Sequence, residues 1–103
     1  MNDKQKSICR RILDHYGVFS QKIKTVEECA ELITAILHNM EDRVNESAVI
    51  DELADVSIML EQMITVYGRQ KVDSRIDAKL RRQQDRIKKT TEQEKQYDQD
   101  QQP

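Results

Sequence analysis

The chain has 103 residues, a formal charge of −2, two Gly, and its one Pro at the last position. That length holds one domain, and the scarcity of Gly and Pro leaves little punctuation for a β-rich fold. No stretch reaches the ~18 apolar residues of a membrane span, and the first residues lack a secretory h-region, so a cytoplasmic protein is expected. Apolar residues make up 37%, a modest core for so short a chain, and self-association is the usual remedy.

The periodicity predicts a short helix from Lys4 to His15, with Ile8, Ile12 and Tyr16 in step and Gly17 ending it. A second helix is expected from Ser20 or Gln21 to Met40 or Glu41, with Ser20 as cap. Its apolar stripe is Ile23, Val26, Ala30, Ile33, Leu37 and Met40. After a polar turn, Asn45 caps a third helix from Glu46 to Tyr67. Val49, Leu53, Val56, Leu60, Met63 and Tyr67 form its stripe, and Gly68 ends it. A fourth helix, thin in apolar residues, is expected from Val72 to Lys89. The reading is an all-α antiparallel bundle over residues 1–89, with three main helices and a short first one. A polar, disordered tail is expected over residues 90–103. Cys9 and Cys29 are not in a CxxC pair. Reduced thiols fit a cytosolic protein, although a disulfide between them is compatible with the sequence.

Charge is segregated. From Glu27 to Glu61 there are ten acids and one base, Arg43; from Arg69 to Lys89 there are nine bases and three acids. Within the acidic stretch, Glu28 and Glu31 repeat at i, i+3, as do Glu52 and Asp55. Residues three apart are neighbours on a helix, about 5–6 Å between Cβ atoms. Two such helices joined by a short turn pack as antiparallel neighbours, so four acids can converge. Neither pair has a Lys or Arg four residues downstream. Clustered carboxylates repel, and a hard divalent cation relieves the repulsion. Set against this, ExxE patterns in a chain that is 35% charged commonly decorate solvated faces.

The segments Thr25-Val26-Glu27-Glu28-Cys29-Ala30-Glu31-Leu32 and Asp51-Glu52-Leu53-Ala54-Asp55-Val56 resemble the EExxE…ExxD signature of the MazG-like nucleoside triphosphate pyrophosphohydrolases. Gln21, the run Asp55–Met63, and Ile76-Asp77-Ala78-Lys79-Leu80-Arg81-Arg82 extend the resemblance over residues 15–88. It is similar to the short single-domain form common in phages and prophages. The resemblance implies hydrolysis of an NTP or dNTP between its α and β phosphates. It implies Glu28, Glu31, Glu52 and Asp55 as ligands of Mg²⁺, or of Mn²⁺ in its place. Glu27 would be a further ligand or would position the water. Lys79, Arg82, Arg86 and Gln21 would contact substrate, and the chain would form a homodimer or homotetramer. A non-catalytic helical interaction module, or a catalytically decayed relative, is the alternative. Nucleic-acid binding ranks low, because net charge is slightly negative and aromatics are few.

Overall fold

A computed structural model describes residues 1–101. Four helices follow one another: α1 (Asp3–Tyr16), α2 (Val18–Met40), α3 (Glu46–Tyr67) and α4 (Arg69–Asp100). No strand occurs among the described residues, so the all-α expectation holds. The chain divides into two compact units, Met1–Gly68 and a second formed by α4.

Local chemistry sets the helix ends. Asn2 and Gln5 form a reciprocal cap on α1: Gln5 N donates to Asn2 Oδ1 at 2.8 Å, and Asn2 N donates to Gln5 Oε1 at 2.9 Å. Gly17 both ends α1 and begins α2. Its N–H donates to Leu13 O, and its carbonyl accepts from Gln21 N. This double role needs a φ of 88°, which glycine adopts without a Cβ clash. Val18 is therefore already helical, and Ser20 lies inside the first turn instead of capping it. Asn45 caps α3, as the sequence suggests, with Oδ1 accepting from Ala48 N.

Helices α2 and α3 pack on each other, and α1 packs on both. Contacts between Glu28 and Glu52 and between Gln21 and Gln62 show that α2 and α3 run antiparallel. The buried apolar residues are Cys9 and Leu13 from α1 and Val56 and Met59 from α3. From α2 the fully buried residues are polar, Gln21 and Glu28. Half-buried Thr25, Cys29, Leu32 and Ala35 share that band.

The apolar stripe of α2 is not inside the chain. Ile23, Val26, Ile33, Leu37 and Met40 are all exposed, Val26 at 70%. At 100° per residue, the stripe lies about 150° around the helix from the buried band. On α3, Val56 is buried while Leu53, Leu60 and Tyr67 are exposed. Both cysteines are free, Cys9 buried and Cys29 half-buried. Burial, and then the negative charge of Glu61, push the Cys9 thiol above its ordinary value.

The second unit differs from expectation. α4 begins at Arg69 and continues through residues 90–100, where a disordered tail is expected. That segment contains no Gly or Pro, and its Glu, Gln and Lys are good helix formers. Gln102 and Pro103, the end of the expected tail, lie outside the described residues. None of α4's residues is buried. The boundary between the two compact units falls at Gly68.

Candidate metal centre

Glu28 and Glu31 stand one turn apart on α2, and Glu52 faces them from α3. One carboxylate oxygen from each lies within 4.8 Å of the other two. Glu28 is 7% exposed, although it sits in the charged middle of the chain. The Oε2 atoms of Glu28 and Glu52 are both sealed from water and have no hydrogen-bond donor. A buried polar atom of this kind costs about 1–3 kcal/mol, more when charged, unless something satisfies it. Two such oxygens beside a third carboxylate form an all-oxygen donor set that suits Mg²⁺ or Mn²⁺.

The electrostatics agree with the geometry. The charge of Glu28, together with a hydrogen bond it shares with Glu31, pushes the Glu31 carboxyl above the ordinary Glu range. The charge of Glu52 adds to this. A hydrogen bond between two carboxyl groups exists only when one is protonated, so with both ionised Glu28 Oε2 has no donor. A proton and a divalent cation are thus competing answers to the same crowding.

Asp55, expected as a fourth ligand, is exposed and lies outside the converging trio. It shares the band of α3 that carries buried Met59 and Gln62, one and two turns further on, yet is itself exposed. Glu27 is exposed, 4.0 Å from Lys24 Nζ. Gln21 is buried, and its Nε2 donates to Gln62 Oε1 at 2.8 Å. Lys79, Arg82 and Arg86 are exposed on α4, in the second unit.

Two residues absent from the sequence reading belong to this region. Lys24 Nζ lies 3.1 Å from Glu28 Oε1. The sequence carries a signal for it, a Lys four residues upstream of Glu28 on the same helical face; the reading considers only downstream bases. Gln62 is 1% exposed, and its Nε2 donates to Ile58 O at 3.4 Å. Its signal is weaker, a place one turn beyond Met59 on the inward band of α3.

A cavity of about 500 Å³ opens beside the carboxylates, between α1, α2 and α3. Ile12, Tyr16, Ile58 and Met59 line its apolar wall, and Gln21, Lys24, Glu27 and Gln62 supply its polar groups. A second, of about 520 Å³, includes Glu31, His38, Asp51 and Glu52. Glu31 and Glu52 thus open onto the second space, and Lys24, the partner of Glu28, onto the first; both are of ligand size. Compared with family models, curated proteins and solved structures, the chain matches none.

Proposed function

We propose that the chain is an Mg²⁺-dependent nucleotide pyrophosphohydrolase. It would cleave an NTP or dNTP between the α and β phosphates to a monophosphate and pyrophosphate. The observation that carries this reading is the pair of donorless, buried carboxylate oxygens of Glu28 and Glu52 facing Glu31. These three residues would hold the cation. When bound, a divalent cation offsets phosphate charge and acidifies a coordinated water.

In the reaction the oxygen of water bonds to phosphorus, the bridging P–O bond breaks, and the water protons pass to the phosphate products and solvent. Glu28, Glu31 and Glu52 would hold the ion in place. Glu27, exposed in the wall of the cavity that Lys24 also lines, would orient the water. Lys79, Arg82 and Arg86 belong to the basic stretch of α4, the kind of charge that suits spreading phosphate charge. Asp55 takes a secondary part, because it stands outside the trio.

The test is pyrophosphate release from a panel of NTPs and dNTPs with Mg²⁺. Turnover that disappears in EDTA and falls about a hundredfold or more in Glu28→Gln supports the reading. Asp55→Asn should cost less than Glu52→Gln. No release from any nucleotide by the folded, Mg²⁺-loaded protein overturns it.

A second reading, a helical interaction module, draws on a separate observation. The outward stripes of α2 and α3 are large and apolar. The two readings join if a homodimer or homotetramer covers those stripes and carries the metal centre.

A further inference from the structure

Lys24 sits half in water and half in the carboxylate centre. Its side chain is 52% exposed, while the carboxylate it meets, Glu28, is 9% exposed. The 3.1 Å contact engages Glu28 Oε1 and leaves Oε2 as the buried atom without a donor. Glu31 and Glu52 have no Lys or Arg within ion-pair distance among the described residues. Lys24 is thus the single cation directly paired in the trio. With all three acids ionised, the trio and this one ammonium, which also lies 4.0 Å from exposed Glu27, sum to a formal charge of −2, the charge one divalent ion offsets.

We infer that Lys24 is a positioning residue that orients Glu28 and sets the charge of the centre to suit one divalent cation. This inference rests on the reading of the trio as a cation site and goes beyond it to the ion's charge and number. The ammonium ties down one oxygen of Glu28, so that the other is presented beside Glu52 without rotation of the carboxylate. Groups behind metal ligands commonly govern affinity in this way, by about 10–100-fold. Removing the ammonium has two opposed effects: it frees Glu28 to rotate, which weakens binding of any ion, and it removes a repulsion that scales with the ion's charge. The ratio of affinities for a trivalent and a divalent ion isolates the second effect, because loss of orientation acts on both ions in the same direction.

The experiment measures binding of Mn²⁺ by calorimetry and of Tb³⁺ by luminescence to the full chain without nucleotide. The wild-type chain is compared with Lys24→Met, Lys24→Gln and Lys24→Arg, with helicity checked for each. Wild type should bind one Mn²⁺ per chain. The Tb³⁺ to Mn²⁺ affinity ratio should rise about tenfold or more in Lys24→Met and Lys24→Gln, and stay near wild type in Lys24→Arg. An unchanged ratio in both neutral variants, with folding and ion binding intact, overturns the assignment of Lys24 and leaves the metal centre standing. Failure of the folded wild type to bind either ion overturns the cation site itself. The two failures are therefore distinguishable.

Discussion

Glu28 Oε2 and Glu52 Oε2 are the most consequential atoms in the chain, since each is a carboxylate oxygen shut away from water with no donor. A cation that binds only the folded form stabilises it by mass action. Mg²⁺ or Mn²⁺ should therefore raise the melting temperature, and Glu52→Gln should remove that rise while raising the melting temperature in EDTA by relieving repulsion. Calorimetric melting with and without the ion reads both effects; a Glu52→Gln variant that still gains stability from Mn²⁺ would contradict them. Glu31 adds a pH dependence. Its carboxyl is held above the ordinary Glu range by the charge and hydrogen bond of Glu28 and then by Glu52. Between the unfolded and folded values the folded state binds the extra proton, so the favourable contribution is full below the unfolded value, roughly pH 4. It is lost as pH rises through the raised value. In EDTA, the stability of Glu31→Gln relative to wild type should therefore increase from about pH 4 to pH 7, and saturating Mn²⁺ should reverse that order at pH 7. Residue identity made the acids visible in the sequence, but not that Glu28 is nearly sealed, that Asp55 stays exposed, or that Lys24 and Gln62 take part. Those outcomes depend on how the helices pack against one another, which spacing alone does not fix.

At the level of elements, the helices follow from short-range rules. Asn45 and Gly68 bracket α3 at its expected ends, because a capping oxygen and a positive φ of 111° at Gly68 act within one turn. Gly17 is a stricter case. Its φ of 88° serves two helices at once, and a Cβ there would meet nothing within 4 Å. Any cost of Gly17→Ala is therefore conformational and not a clash with neighbours. It should destabilise the chain by about 1–3 kcal/mol in chemical denaturation, with the helix content of the folded state unchanged. The length of α4 shows the limit of reading by composition. Polar residues 90–100 carry no burial signal, yet nothing among them breaks a helix.

For the whole molecule, the outward stripe of α2 is the main departure from a simple amphipathic reading. Its periodicity is evident in the sequence, and the chain itself covers another face, 150° away by the helical repeat. If the stripe is covered by a second copy, the melting temperature should rise with protein concentration. Replacing Val26 and Ile33 together by Lys should then yield a monomer in light scattering and abolish that dependence. A wild-type chain that is monomeric at every concentration tested would remove the oligomeric reading.

By itself the sequence determined that the chain is helical, where α3 begins and ends, and which acids recur one turn apart. These properties follow from the chemistry of single residues and from the 3.6-residue period. Tertiary packing alone settled which face of α2 turns inward, that three of the four repeated acids bring oxygens within 4.8 Å of one another, and that Lys24 engages Glu28. The choice among the faces of a helix is made by the fit of side chains across the seam between α2 and α3. That fit depends on residues some thirty or forty positions apart, such as Gln21 with Gln62, which no local pattern relates.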